Sequence, residues 1–263
     1  MVRGKVERLR EWLAERESIL ICFSGGVDSS YLLAEAVTVL GPRAVAFTAV
    51  SPSLDPEERE SARRLAEGLG ARHRMVDTHE LDDARYASNP INRCYFCKTE
   101  VYGAARALAH QLGIETVADG FNVDDRADHR PGRRAARELG VVSPLDALGF
   151  RKVDIRAAAR ALDLPVWDKP ALACLASRFP YGTTITPASL RQVAAAEKAV
   201  RALGFRVVRV RHFGATARVE VGREELPRLH GREGELERAV RGCGFERVLV
   251  DPRGYRRGSL NVL

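Results

Sequence analysis

Seven residues near the start of the chain, Ser24-Gly25-Gly26-Val27-Asp28-Ser29-Ser30, have the composition of an anion cradle. Glycine lets backbone approach an anion closely, a following helix start offers free amides, and the hydroxyls of Ser24, Ser29 and Ser30 add donors. No G-x-x-x-x-G-K-S/T string occurs and no lysine follows the glycines, so a phosphate site here is not of the Walker kind. Asp28 and the pair Asp124/Asp125 are carboxylates of the sort that hold Mg2+ together with nucleotide phosphates. Turn aspartates bonding their own backbone are the alternative for Asp124 and Asp125.

A second set of reactive residues is sulfur. The five cysteines are Cys22, Cys94, Cys97, Cys174 and Cys243, an odd and uneven set that does not read as a disulfide framework. Cys94 and Cys97 form a C-x-x-C within Asn92-Arg93-Cys94-Tyr95-Phe96-Cys97-Lys98, where the start of a helix favours thiolates. With Cys174 they admit three readings: ligands of a 4Fe-4S cluster, ligands of zinc with a nearby His or Asp, or free thiols in sulfur relay. No second C-x-x-C and no H-x(3–5)-H completes a zinc pattern. Cys22, in an apolar run, and Cys243 read as structural.

The third set is cationic. Residues 206–212 alternate, so Arg209 and Arg211 share one strand face as a possible phosphate clamp, with Glu197 and Glu220 available to pair with them. A solvated strand face is the plainer reading.

These residues need elements to hold them. The apolar run Ile19-Leu20-Ile21-Cys22-Phe23 predicts a strand buried on both faces, and residues from 28 to 40 predict a helix, which puts the glycines at a strand-to-helix turn. An amphipathic helix over 3–16 precedes them. Strands are expected over 43–50, 72–76, 115–118 and 141–142, with helices to residue 69 and over 152–162. Such alternation implies an α/β fold, a parallel doubly wound sheet with ligands beyond the carboxyl ends of its strands. The polar stretches at Thr48 to Ser53 and Asp119 to Asp125, including Asn122, follow strand ends as that rule requires, with adenine recognition expected from the backbone of residues 47–49. Prolines and glycine break the pattern over 163–186. Beyond lies a smaller C-terminal α+β domain, with helices over 188–203, 224–229 and 233–241 and strands over 206–211, 218–221 and 247–250. The expected division is 1–165, a loop and linker at 166–187 carrying Cys174, and 188–263.

The 263 residues suffice for one large or two small domains, and no apolar run reaches the ~20 residues of a membrane helix. The first residues open an amphipathic helix instead of a signal peptide, so a cytoplasmic location is expected. Lys plus Arg is 42 against 35 acids, and only five of the 42 are lysine. Residues 201–263 contain 14 arginines, no lysine and eight acids, which concentrates the positive balance in the C-terminal quarter. Nucleic acid or a phosphorylated small molecule would suit it.

The glycine string resembles the PP-loop of ATP pyrophosphatases, which cleave ATP between the α and β phosphates. Over nearly its whole length the chain resembles the LarE-type, ATP-dependent sulfur transferases of nickel-pincer nucleotide biosynthesis. The matching blocks are the glycine loop, Asn92 to Lys98, Asp119 to Asp125, Arg130-Pro131-Gly132, Ser143-Pro144-Leu145, Trp167-Asp168-Lys169-Pro170 and Cys174 through Thr183. The resemblance implies ATP and Mg2+ at Ser24, Gly25, Gly26, Asp28, Ser29, Thr48, Asp119, Asn122 and Asp125, with Asp28 and Asp125 as metal ligands. The implied substrate is pyridinium-3,5-biscarboxylic acid mononucleotide, its phosphate held by Arg178, Glu197, Arg209 and Arg211, with sulfide or another sulfur donor as partner. Some relatives use one cysteine, at the position of Cys174, as a sacrificed sulfur donor. The additional Cys94 and Cys97 resemble the three-cysteine branch, whose thiolates hold a 4Fe-4S cluster. A trimer-based homo-oligomer, a hexamer, is also implied. The competing expectation is a tRNA thiolase with the same adenylation step, although nucleic acid is not favoured by the Cys174 to Thr183 block.

Overall fold

The computed structural model describes residues 2–127, 131–170, 173–256 and 260. The chain divides into two compact units: Met1–Ser51, Pro56–Glu80 and Asn92–Leu172 form the first, and Pro52–Asp55, Leu81–Ile91 and Ala173–Leu263 the second. Two short excursions, at Pro52–Asp55 and Leu81–Ile91, therefore belong with the C-terminal unit, whereas a division read along the sequence keeps both in the first domain.

In the first unit β1 (Ile19–Cys22), β2 (Ala44–Val50), β3 (Arg72–Asp77) and β4 (Thr116–Ala118) form a parallel sheet in the order β3-β2-β1-β4. The strand expected at 141–142 is a single bridge, Val142 to Ala118. β1 is central, and its alternate side chains serve two cores. Ile19 and Ile21 face a cluster built with α1 (Val2–Ala14), α2 (Val27–Leu40) and Ile155 and Ala159 of a later helix. Leu20 faces Val45, Phe47 and Val117 under Tyr102, Ala105 and Ala109. Helices thus cover both faces, as the unbroken apolar strands require. Cys22 packs against the second cluster, and burial pushes its thiol up to about 12, so it stays protonated and structural. The remaining helices of this unit include α3 (Pro56–Gly68), α4 (Arg93–Gln111) and α5 (Lys152–Ala161).

The second unit contains a three-stranded sheet. β5 (Val208–Phe213) pairs antiparallel with β6 (Thr216–Val221), which pairs parallel with β7 (Arg247–Val250). β5 begins two residues later than the alternation suggests, because the Glu225 carboxylate accepts the amides of Arg206 and Val207 at 2.8 and 3.0 Å and takes them out of the ladder. Helix α6 (Pro187–Ala202) starts from a capping box in which Thr186 and Ser189 bond each other's backbone amides at 3.1 Å, with Pro187 in the first turn. Its Leu190, Val193, Ala196 and Val200 are buried, as are Leu236 and Val240 of α7 (Glu233–Arg241). Asn89 ties the 81–91 excursion into this unit. It adopts a left-handed φ of 55°, is fully buried, donates to the carbonyls of Pro180 and Phe179 at 2.7 and 3.4 Å, and accepts the Gly182 amide at 2.9 Å.

The edge of the first sheet is held by a close approach. A Cβ on Gly120 would lie 2.8 Å from the Ser29 amide nitrogen and 3.1 Å from the Asp28 carbonyl carbon, both backbone atoms that cannot turn aside. Gly120→Ala is expected to destabilise the protein by about 1–3 kcal/mol, the usual cost of overpacking. Urea unfolding measures it, and an unchanged midpoint would contradict this packing.

Candidate active site

The glycine loop sits where β1 meets α2. Gly25 has φ +69°, and an added Cβ would press on Ala62 of α3 at 3.1 Å, so conformation and space both demand glycine. The serines brace the loop internally: Ser29 Oγ accepts the Ser24 amide at 3.2 Å, and Ser30 Oγ donates to the Gly26 carbonyl at 2.8 Å. Helix α2 has no side-chain cap at Gly26. Among the described residues, the amides of Gly25, Val27, Asp28 and Ser29 donate to nothing. Uncapped amides at the start of a 14-residue helix form an anion site waiting for acceptor oxygens.

Asp28 lies in the first turn of α2. One oxygen is ion-paired with Lys152 Nζ, and the other is buried and has no partner among the described residues. A buried carboxylate oxygen with its lone pairs unused fits a hard cation such as Mg2+. Lys152 also donates its amide to Asp124 at 2.7 Å, and Arg151 bonds the same carboxylate. The Lys152 amide, then Arg151, hold Asp124 below the usual carboxylate range. Asp124 thus reaches across to the start of α5, and the bonding within the local turn falls to Asp125. Asp125 accepts from the amide and the side chain of the buried Asn122 at 3.2 and 2.9 Å. Asp119 organises the end of β4, accepting from Tyr102 at 2.7 Å, Ser143 at 2.7 Å and the Phe121 amide at 3.1 Å. Thr48 is buried, and its hydroxyl donates to the Phe23 carbonyl at 2.7 Å, so it accepts from His73 Nε2 at 2.8 Å. Its hydroxyl is therefore engaged on both sides.

Cys94 and Cys97 lie one turn apart at the start of α4, exposed and half-buried respectively. They are in the first unit. Cys174 is exposed in the second, immediately before a 3-10 turn, Leu175–Arg178, and its carbonyl accepts from Arg178 at 3.2 Å. No disulfide joins any two of the five cysteines among the described residues. Among the described residues no three His, Cys, Asp or Glu side chains are grouped as metal ligands. Arg130 of the matched Arg-Pro-Gly string lies outside the described residues.

Three arginines of the second unit are buried, which a solvated strand face would not give. Arg178 is 3% exposed and Arg209 and Arg211 are each 5% exposed, beside Glu197 and Glu220, which are fully buried. Arg178 meets Glu197 through two bonds of 2.7 and 3.0 Å, and Glu197 also accepts the Val210 amide at 3.0 Å. Arg211 is forked onto Glu220 at 2.7 and 3.0 Å and donates to the Ser177 carbonyl. Arg209 lies 4.9 Å from the Tyr255 ring centroid. Arg201 also reaches Glu197, and Arg218 reaches both Glu220 and the buried Asp251, so the three buried guanidiniums belong to a wider ionic network. Burial first, then the charge of Arg178, hold Arg209 below its ordinary value. His212 is part of the scaffold, stacked on Phe179 at 4.8 Å, with burial holding its pKa down.

Residues that the sequence pattern did not single out include Lys152, Tyr102, Glu58 and Tyr255. Lys152 and Lys169 are two of only five lysines among 42 basic residues, and an ammonium is a compact point charge where a guanidinium is a planar fork.

An asparagine synthase family profile matches residues 8–123, the stretch containing the glycine loop and most of the first sheet. Pyridinium-3,5-bisthiocarboxylic acid mononucleotide synthase of Lactiplantibacillus plantarum is 36% identical over 250 residues, 95% of this chain and 91% of that protein. The chain belongs to this synthase family. An uncharacterized protein of Synechocystis sp. is 45% identical over 99% of the chain and 98% of its own length. A tRNA-cytidine(32) 2-sulfurtransferase of Methylobacillus flagellatus is 25% identical over 59% of the chain and 57% of its own length. The solved NMN synthetase of Francisella tularensis, 19% identical, superposes with a TM-score of 0.53 over 65% of this chain and 75% of that one, a likeness of fold. The synthase match spans both units, including the Cys174 to Thr183 block. Among the described residues no helix is long and apolar enough to cross a membrane.

Glu197 yields a prediction with a definite sign. Burial alone would push its carboxyl up, but the Arg178 charge and hydrogen bonds outweigh it and hold it below the ordinary value. A lowered folded value gives stability that is full above the unfolded carboxylate pKa and lost as pH falls through the folded one. Arg178→Met should cost about 3–5 kcal/mol at neutral pH by stranding a buried carboxylate. Glu197→Gln should flatten the acid limb of the stability profile, and thermal melts from pH 7 to 3 read both effects.

Proposed function

We propose that this chain is an ATP-dependent sulfurtransferase that converts the carboxylates of pyridinium-3,5-biscarboxylic acid mononucleotide to thiocarboxylates. The observation that carries the reading is the pairing, in one synthase-family chain, of an uncapped glycine-rich helix start with a buried, positively charged arginine cluster. The first suits the triphosphate of ATP, and the second the phosphate of a mononucleotide.

A carboxylate is a poor electrophile because its oxygen is a poor leaving group. In the proposed reaction a substrate carboxylate oxygen attacks the α-phosphorus, the bond from that phosphorus to the bridging oxygen breaks, and pyrophosphate leaves with the electron pair. The amides of Gly25, Val27, Asp28 and Ser29 would hold the leaving group, stabilising charge as it develops. Asp28, with Asp125, would carry Mg2+, which screens the phosphates. Sulfur then attacks the acyl carbon of the adenylate, and AMP departs with the carbon–oxygen electron pair. Repetition on the second carboxyl completes the product. Ser24 braces the loop, while Asp119, Asn122 and Thr48 fix the strand ends around it.

Cys94, Cys97 and Cys174 would hold a 4Fe-4S cluster, which leaves one iron open to an exchangeable sulfur ligand. The spacing of Cys94 and Cys97, one turn apart at the start of α4, suits this donor set. A cytoplasmic enzyme assembled as a trimer-based homo-oligomer, a hexamer, completes the reading.

Release of AMP and pyrophosphate should depend on the pyridinium mononucleotide and ignore tRNA, whereas stimulation by tRNA alone would favour a tRNA thiolase. Arg209→Ala and Arg211→Ala should each raise the KM for the mononucleotide roughly 10- to 100-fold, the effect of one charge-assisted hydrogen bond. Anaerobic purification should yield iron and acid-labile sulfide. Stoichiometric zinc without iron would sink the cluster assignment, and a loss of ~34 Da at Cys174 after one turnover would replace it with sacrifice of that cysteine.

A further inference from the structure

The glycine loop lacks a lysine of its own, yet it must hold a leaving group bearing several negative charges. Its resources are modest. A helix start supplies only about half an elementary charge, and Asp28 in the first turn subtracts a full one. Two full positive charges touch this loop among the described residues, and both arrive from far along the sequence. Lys152 Nζ is committed to Asp28. Lys169 Nζ lies 3.3 Å from the Gly25 carbonyl oxygen and 2.6 Å from Glu58 Oε2.

We propose that Lys169 is a direct ligand of the pyrophosphate leaving group. Its ammonium rests on the loop itself, at the residue whose left-handed φ and tight contact with Ala62 fix the peptide. An ammonium has three N–H donors. Two are used here, and the third has no partner among the described residues. The side chain is 17% exposed and Glu58 is 24% exposed, so the pair is sheltered from solvent screening but not closed off from a ligand. Glu58 occupies the first turn of α3, where a carboxylate is itself favoured, so it can steady the lysine stem without requiring the whole of its charge. Residue type supports the same conclusion. Only five of the 42 basic residues are lysine, and a compact ammonium on a flexible stem can turn from a carbonyl oxygen to a phosphate oxygen in place, which a planar guanidinium cannot.

This inference rests on the ATP-cleaving reading above, and one set of binding measurements separates the two. Equilibrium affinities of inorganic pyrophosphate, AMP and α,β-methylene-ATP are measured on the full chain for wild type, Lys169→Met and Lys169→Arg, with melting temperatures alongside. Lys169→Met should weaken pyrophosphate and α,β-methylene-ATP roughly 10- to 100-fold and leave AMP within twofold, and Lys169→Arg should fall between. Unchanged pyrophosphate affinity in Lys169→Met would overturn the proposal, as would equal weakening of AMP and pyrophosphate, the mark of a merely structural residue. If Lys169→Met does not fold, Lys169→Gln takes its place under the same criteria. Wild-type protein that binds neither pyrophosphate nor α,β-methylene-ATP would remove the parent reading, and this one with it.

Discussion

The first unit depends on keeping a few backbone amides unsatisfied. A helix start is normally capped by a side chain, and here Gly26 provides none, leaving the amides of Val27, Asp28 and Ser29 open. Those amides must stay aimed while everything around them is packed. The surrounding sequence follows from that need. Gly25 and Gly120 are small because neighbouring backbone and Ala62 leave no room for a side chain. The serine hydroxyls turn inward to brace the loop, and Asp119 uses both oxygens to fix the adjoining strand end.

The second unit solves a different problem, the burial of charge. Glu197 and Glu220 have no exposed surface, which is tolerable only because guanidiniums meet them through forked hydrogen bonds. Arg201 and Arg218 extend the network, each reaching one of these carboxylates from a partly exposed position.

Much of this was legible in the chain. The unbroken apolar run at residues 19–23 gave a central strand, alternation of strands and helices gave a parallel sheet, and a seven-residue string marked the strand-to-helix turn with its uncapped amides. The C-terminal elements also followed from periodicity in type and order, but the hairpin runs closer to its turn than expected, with β5 to Phe213 and β6 from Thr216, and β5 starts late because Glu225 competes for the backbone amides. What pattern cannot show is pairing across long separations. Lys152 meets Asp28 across 124 residues and Lys169 meets Gly25 across 144, and neither neighbour leaves a local trace. The burial of Arg209 and Arg211 was equally hidden, since alternation looks the same whether the polar face meets water or carboxylates.

The left-handed Asn89 has a consequence for how the molecule is made. Through it and the nearby Ala87 carbonyl, which accepts the Ile185 amide at 2.8 Å, residues 81–91 are built into a unit whose bulk begins at Ala173. During synthesis that segment emerges some 80 residues before its partners exist, and the Pro52–Asp55 excursion earlier still. The first unit must therefore assemble with two loops held open for a later arrival. The second unit cannot be produced by cutting the gene at a single point.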